Sequence, residues 1–193
     1  NGVAILSKTE ITEVQKGIPG FTDEQKRVLA ATVGGIRIID LYVVNGQAVG
    51  SEKYDYKLRW LNAVHEWIED ELTRHQKLVV LGDFNIAPDE RDVHDPLVWN
   101  DDSILTSTQE RAALKRLLAL GLHDSFRLHS EEAGVFSWWD YRMAGFRRNL
   151  GLRIDLVLVS EALKSRALAS GIEREPRTWE RPSDHAPVWV EID

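Results

Sequence analysis

The chain has 193 residues, of which 43% are hydrophobic, and its formal net charge is -7 at pH 7. This length and apolar content suit one globular domain over residues 1–193, and the acidic balance argues against a protein that coats nucleic acid by bulk electrostatics. Because the chain has no cysteine, disulfides and thiolate sites are excluded, which fits a cytoplasmic protein. No apolar run reaches the ~20 residues of a membrane span, so no membrane partner is expected.

The first part of the chain predicts strands. Residues 2–7 read as a short strand, and residues 8–24 read as a polar connector. Two β-rich runs at 28–33 and 36–44 flank Gly34-Gly35, which predicts a hairpin because a two-residue turn favours positive φ at both central positions. Since a strand is predicted at the first residues, we expect an N-terminal part of the fold to be missing.

Two helices are predicted next. Residues 51–74 place apolar side chains at spacings of three and four, which indicates a long amphipathic helix. Residues 87–106 are acidic and irregular and are predicted to be a long surface loop. Ser107 and Glu110 form a capping-box pattern that begins a second helix, and Gly121 ends it.

The second half of the chain is predicted to return to strands. The predicted strands are residues 135–141, 152–160, 167–173 and 186–192. Between the first two lies an arginine island, residues 141–154, which holds four arginines and no acidic residue. Strands mixed with two helices and at least one hairpin indicate an α/β fold with mixed sheets.

The strongest functional signal lies at residues 78–88, which read LVVLGDFNIAP. The apolar run is typical of a buried strand, and Gly82 interrupts it just before Asp83 and Asn85. Side chains two residues apart on an extended chain point to the same side, so a carboxylate and an amide would share one space at the strand end. These residues can also simply cap a turn. Tyr42 is predicted to lie beside Asp83.

Asp184 and His185 lie in a turn directly before the last strand. Such a pair is often only a polar turn, but a histidine there can donate to a phosphate oxygen. Asp155 lies among apolar residues, so it either faces solvent or is buried with a partner, because a buried unpaired carboxylate costs several kcal/mol. We therefore predict that Asp155 holds His185.

Adjacent Trp138 and Trp139 must face opposite sides of a strand. Aromatic strands usually contribute to a core, but this alternation allows one tryptophan to line a pocket beside the arginine island.

Four segments carry a resemblance to a known family. LGDFNIAP, FSWWDYR, GLRIDLVLVS and RPSDHAPVWV, in this order and spacing, resemble the exonuclease III family of Mg-dependent abasic-site endonucleases and 3′ exonucleases. That family belongs to the wider endonuclease/exonuclease/phosphatase superfamily. The resemblance runs from NGVAILSK to the last strand. It implies two mixed β-sheets packed face to face and flanked by helices, a four-layer DNase I-like sandwich that is incomplete at the N-terminus, and a monomer.

The resemblance also assigns roles to residues. It implies a catalytic set of Tyr42, Asp83, Asn85, Asp155 and His185, and a substrate-binding set of Asn45, Trp138, Arg142, Leu152 and Ile154. Asp83, Asn85, Asp184 and His185 would lie at a Mg²⁺ ion, for which Mn²⁺ is an alternative. The family's N-terminal asparagine and its principal glutamate ligand have no counterpart here.

These roles imply a DNA repair phosphodiesterase that cuts duplex DNA on the 5′ side of abasic sites and acts as a 3′-5′ exonuclease and 3′-phosphodiesterase. The expected partner is therefore double-stranded DNA with abasic sites or 3′ ends. Two alternatives remain open at this point: a phosphodiesterase or phosphatase that acts on a phospholipid or inositol phosphate, and an inactive DNA-binding fragment.

Overall fold

The structure is a computed structural model that describes residues 2–193. In chain order its strands are β1 (Ile11–Lys16), β2 (Val28–Val33), β3 (Ile36–Tyr42), β4 (Leu78–Asp83), β5 (Leu122–Asp124), β6 (Trp138–Trp139), β7 (Gly151–Leu152), β8 (Asp155–Ser160), β9 (Ala167–Ile172) and β10 (Val188–Ile192). The helices are α1 (Glu52–Arg74), α2 (Thr108–Leu118), α3 (Ser125–His129), α4 (Gly145–Arg148) and α5 (Glu161–Lys164). Short 3-10 turns lie at Glu90–Asp92, Arg142–Ala144 and Glu175–Thr178.

A six-stranded mixed sheet in the order β1-β2-β3-β4-β8-β5 forms the centre of the fold. β3 and β4 run parallel, whereas their neighbours on both sides are antiparallel. α1 crosses from β3 to β4, as a parallel connection requires. The predicted hairpin between β2 and β3 is confirmed, with φ of +57° at Gly34 and +78° at Gly35.

The two faces of the central sheet are covered differently. α1 and α2 pack on one face, where Trp60 and Ile68 meet strand residues such as Ile39 and Val80. β9 and β10 form a two-stranded antiparallel sheet. It packs on the other face, against β4 and β8, through residues such as Val190. The predicted α/β fold, with sheets packed face to face and flanked by helices, is thus confirmed.

Local signals fix both long helices. The Ser51 side chain accepts a hydrogen bond from the Tyr54 N–H and begins α1, which ends at Arg74 as predicted. Ser107 and Glu110 form the predicted capping box at α2. Among residues 2–193, no helix is long and apolar enough to cross a membrane.

Several predicted elements were wrong. Residues 2–7 form no strand, and the first strand is instead β1, inside the predicted connector. β1 is an exposed edge strand held by its ladder to β2, so its own residues carry no apolar pattern. The predicted strand 152–160 is two strands, β7 and β8, that pair with different partners. The segment 87–106 is not entirely a surface loop, because Asp92 and Thr106 are fully buried.

Candidate active site

Three predicted site residues lie in one row at the end of the central sheet. Tyr42 on β3 pairs in register with Asp83 on β4, and Asp83 pairs with Asp155 on β8. Residues that are direct partners across a sheet point to the same face. Gly82 permits the close approach of β3 and β4 here, because its φ is +128° and an added Cβ would lie 2.0 Å from the Leu41 carbonyl oxygen.

Asp83 and Asn85 form one hydrogen-bonded unit. The Asp83 carboxylate accepts from the Asn85 backbone N–H at 2.9 Å and from its side-chain Nδ2 at 2.8 Å. Asn85 adopts a left-handed backbone with φ of +49°, and its amide also donates to the Val43 carbonyl at 3.0 Å. Asn45 donates to Asn85 Oδ1 at 3.1 Å. The amide of Asn85 is therefore fixed beside the Asp83 carboxylate rather than free to rotate.

A buried ion pair lies beneath the Asp83–Asn85 unit and holds its backbone. Lys57 on α1 and Glu110 on α2 are both fully buried and form a salt bridge. The remaining donors of Lys57 Nζ go to the backbone carbonyls of Asn85 at 2.7 Å and Asn45 at 3.1 Å. Two helices of the core thereby hold the two asparagines through a single ammonium group.

Asp155 holds His185, as the sequence predicted. His185 Nδ1 lies 2.9 Å and 3.0 Å from the two Asp155 carboxylate oxygens. The buried Ser137 hydroxyl accepts from the backbone N–H groups of Ile154 and Asp155, both at 3.0 Å, which fixes the start of β8. This arrangement leaves the other ring nitrogen, Nε2, for a ligand.

The electrostatics of the site separate an acid from a base. Burial, followed by repulsion from the Asp155 carboxylate, raises the pKa of Asp83 to about 7. Burial alone lowers the pKa of His185, but the hydrogen bond and charge of Asp155 outweigh it and raise that pKa to about 9. Between these values Asp83 is a carboxylate that accepts a proton, and His185 is an imidazolium that donates hydrogen bonds.

Trp138 and Asp184 link this cluster to a neighbouring cavity. Trp138 Nε1 donates to the Asp184 carboxylate at 3.0 Å, and the backbones of Trp138 and His185 form a β-bridge. Trp138 and Arg142 line a surface cavity of about 350 Å³ together with Trp99. Trp139 points the other way and is fully buried.

Leu152 and Ile154, which the resemblance assigns to substrate binding, are buried next to this cavity and are not among its lining residues. Their exposed fractions are 0% and 2%, because both pack with Val93 and Leu105 in a buried cluster against which Trp138 lies. They support the wall of the cavity rather than form its surface. Any direct contact of theirs with a substrate stays a prediction.

The arginine island is smaller than the sequence indicated. Arg142, Arg147 and Arg148 are exposed, but Arg153 is only 1% exposed and pairs with Asp92 at 2.6 Å and with Asp124 at 2.8 Å. A guanidinium that is buried between two carboxylates is structural and cannot contact a polyanion. The exposed part of the arginine island therefore consists of three arginines.

The oxygen donors of the site have the chemistry that a hard divalent cation prefers. Asp83 and Asp184 supply carboxylate oxygens and Asn85 an amide oxygen, and Mg²⁺ commonly takes one or two carboxylates and keeps several waters. Within residues 2–193, no group of three or more histidine, aspartate and glutamate side chains is placed to hold a metal. His185, which was also predicted at the metal, has its Nδ1 engaged by Asp155, and its contact with a metal stays a prediction. The chemistry of these oxygen donors therefore fits a divalent metal cofactor.

Sequence reasoning missed Lys57. One signal was available: Lys57 lies four, seven and eleven residues before Leu61, Val64 and Ile68, on the buried stripe of α1. A lysine within an apolar stripe is a candidate for a buried, paired cation. Its partner Glu110 was recognised only as a member of the capping box.

Comparison with known proteins agrees with this geometry. Residues 1–185 match the model of the endonuclease/exonuclease/phosphatase family. Exodeoxyribonuclease III of Haemophilus influenzae is 36% identical over an alignment of 203 residues, and the alignment covers 99% of this chain and 76% of that protein. A solved structure of the 3′ phosphatase NExo from Neisseria, bound to a product DNA hairpin, is 48% identical with a TM-score of 0.94, and the match covers 97% of this chain and 73% of that one. An AP endonuclease from Archaeoglobus fulgidus is 32% identical with a TM-score of 0.90, over 95% and 72% of the two chains. The chain therefore belongs to the endonuclease/exonuclease/phosphatase family, in the group that contains exodeoxyribonuclease III.

Proposed function

We propose that this protein is a DNA repair nuclease that hydrolyses phosphodiester bonds in duplex DNA, on the 5′ side of abasic sites and at 3′ ends. In this proposal residues 1–193 act as one domain and as a monomer, with Mg²⁺ as the divalent cation and Mn²⁺ as a substitute. The observation that carries the proposal is the convergence of Asp83, Asn85 and the Asp155–His185 pair at one sheet end. A positioned base and a cationic donor beside it are what hydrolysis of a phosphodiester requires.

The protein's own residues divide the reaction between them. The Asp83 carboxylate accepts a proton from water, and the resulting hydroxide attacks the phosphorus in line with the departing 3′ oxygen. The P–O3′ bond breaks and a 3′ hydroxyl forms once that oxygen takes a proton. The His185 imidazolium donates a hydrogen bond to a phosphate oxygen, where negative charge develops. The side-chain amide of Asn85 donates to Asp83 and to the Val43 carbonyl, so Asn85 positions the base. Asp155 keeps His185 charged and oriented.

A divalent cation would be held by Asp83, Asn85 and Asp184, and it would neutralise phosphate charge when bound. In this proposal Tyr42, the strand partner of Asp83, and Asn45, which donates to Asn85, contact the same phosphate.

Two features support DNA as the substrate over a lipid or inositol headgroup. The cavity beside Asp184 presents Trp138, Trp99 and Arg142, which suits a deoxyribose next to a phosphate backbone better than a small charged headgroup. An abasic nucleotide has no base to unstack, so it enters such a cavity at lower cost. The similar proteins named above are DNA nucleases or DNA 3′ phosphatases by name.

A second candidate activity is the processing of 3′ ends without incision at internal abasic sites. The Neisseria structures support it, since they are 48% and 49% identical to this chain and are described as a 3′ phosphatase and a 3′-5′ exonuclease. The same base and cation would serve this reaction, because only the group attached to the phosphorus differs.

Cleavage assays separate these candidates. One duplex carries a single internal abasic site, a second ends in a 3′ phosphate, and a third ends in an ordinary 3′ hydroxyl, each assayed with Mg²⁺ and with EDTA. The proposal expects Mg-dependent incision of the first and processing of the 3′ ends, both lost in Asp83→Asn. Processing of 3′ ends without internal incision would select the second candidate. Binding to DNA without any cleavage would indicate a DNA-binding fragment.

A further inference from the structure

The segment before Asp184 and His185 forms a second surface cavity beside the site. It has a volume of about 420 Å³, and His185 lines it together with the 3-10 turn at Glu175–Thr178 and the residues that follow. Apart from His185, its apolar lining includes Trp179, Pro176, Pro182 and Pro187. His185, which is proposed to contact the phosphate, therefore also borders a largely apolar space that the proposed reaction does not use.

This segment is held firmly in place. Arg177 is buried, and its guanidinium lies 5.8 Å from the ring centre of Trp139 and 5.0 Å from that of Phe146. The same guanidinium donates to the Ser183 carbonyl, and the Tyr141 hydroxyl donates to the Pro182 carbonyl at 2.7 Å. Stacked and hydrogen-bonded contacts of this kind fix a loop in one conformation. The cavity thus has preformed walls.

Trp179 lines this cavity and is largely exposed. Its exposed fraction is 58%, yet its indole N–H is satisfied by the Glu175 carboxylate, and its backbone N–H donates to the Pro176 carbonyl at 3.3 Å. The polar N–H edge of the ring is therefore occupied, and the rest of this exposed side chain is apolar carbon. A tryptophan oriented in this way loses little entropy when a flat group stacks on it.

The charges at the rim indicate which part of a nucleotide would enter. Glu180 and Arg181 both line the cavity, so their opposite charges cancel and the rim does not select a phosphate. An exposed indole among prolines is suited to an aromatic heterocycle, because every nucleobase has a π face that stacks on aromatic side chains. The phosphate of the same nucleotide would lie at His185, which borders the cavity.

We propose that Trp179 is a stacking platform for the base of the nucleotide next to the scissile phosphate. This inference rests on the proposed function and narrows its substrate: the favoured DNA ends carry an unpaired 3′-terminal base, since a base inside a duplex already has both faces stacked. Trp179 is therefore a specificity-determining residue that contacts substrate without taking part in proton transfer.

The test compares two duplexes with a single-nucleotide 3′ overhang, one with a base on the overhanging nucleotide and one without. Trp179→Ala is expected to raise KM about tenfold on the overhang with the base and to leave KM unchanged on the overhang without it. The value of kcat should not change on either substrate, and Trp179→Phe should restore most of the lost affinity. Trp189→Ala is the matched control, because Trp189 is 42% exposed but does not line this cavity.

An equal change of KM on both substrates in Trp179→Ala, or no change on either, would overturn the inference. The nuclease assignment would still hold in that case if the unaltered protein cleaves the DNA. A binding measurement makes the test independent of cleavage. An overhanging 2-aminopurine should lose fluorescence on binding to the unaltered protein and to Trp189→Ala, and should keep it with Trp179→Ala. Equal quenching by all three proteins would refute stacking on Trp179.

Discussion

Replacing Lys57 by methionine tests the buried support of the site. The change leaves the Glu110 carboxylate fully buried without its cation, and it removes the donor from the Asn45 and Asn85 carbonyls. Breaking a buried ion pair by removing one partner typically costs about 3–5 kcal/mol, because an uncompensated charge remains. The free energy of unfolding of a domain of this size is about 5–15 kcal/mol, so the loss is a large share of the total.

Urea denaturation measures this loss. With a slope of about 2 kcal/mol per molar urea, a loss of about 4 kcal/mol lowers the unfolding midpoint by about 2 M. Lys57→Met with Glu110→Gln should recover part of that loss, because no unpaired charge stays buried. Lys164→Met is the matched control: Lys164 and Glu161 are 43% and 71% exposed, and such a pair contributes about 0–1 kcal/mol. A midpoint for Lys57→Met within about 0.5 M of the unaltered protein would refute the reasoning.

Two further predictions concern the chemistry and the DNA surface. Because the pKa of Asp83 is about 7 and that of His185 about 9, kcat/KM should rise as pH increases through about 7 and fall above about 9. A pH–rate profile measures both limbs. Asp155→Asn should move both limbs to lower pH, because Asp155 raises the pKa of Asp83 and that of His185. Limbs that stay in place in this variant would contradict the assignment. Charge reversal at Arg142 and Arg147 should weaken binding to duplex DNA and lower the slope of log Kd against log salt by about 1 for each arginine, which titrations at several salt concentrations measure.

The control for the arginine variants is Arg116→Glu, which reverses an exposed charge on α2 outside the arginine island. It should leave the salt slope close to that of the unaltered protein. An equal loss of affinity in all three variants would mean that binding follows net charge rather than the surface at residues 142–148.

The features that the sequence predicted are local ones. The end of β4 with Asp83 and Asn85, the Gly34-Gly35 hairpin and the Ser107–Glu110 capping box each depend on residues close together in the chain. Their signals are an apolar run, two glycines with positive φ, and a side chain that caps a helix. Each can be read from a few neighbouring residues, because the hydrogen bonds concerned close over short stretches of chain.

The pairing of Asp155 with His185 was also predicted, although the two residues are 30 positions apart. The prediction was possible because burying an unpaired carboxylate costs free energy, so a carboxylate within an apolar strand needs a partner. Few residues of the sequence were candidates for that partner. The burial of Arg153 between Asp92 and Asp124 was not predicted, because neither partner is close to it in the chain.

Only the tertiary structure decided which charges are buried and which lie open. Lys57 and Glu110 form their ion pair although they are 53 positions apart in the chain. β1 is a strand because it forms backbone hydrogen bonds with β2. Neither feature can be inferred from neighbouring residues. Trp179 and Trp139 have the same side chain, yet one is exposed and the other fully buried. The sequence determined which residues could do chemistry at the ends of its strands. Packing determined which of them meet, because burial is set by what the rest of the chain places on top of each side chain.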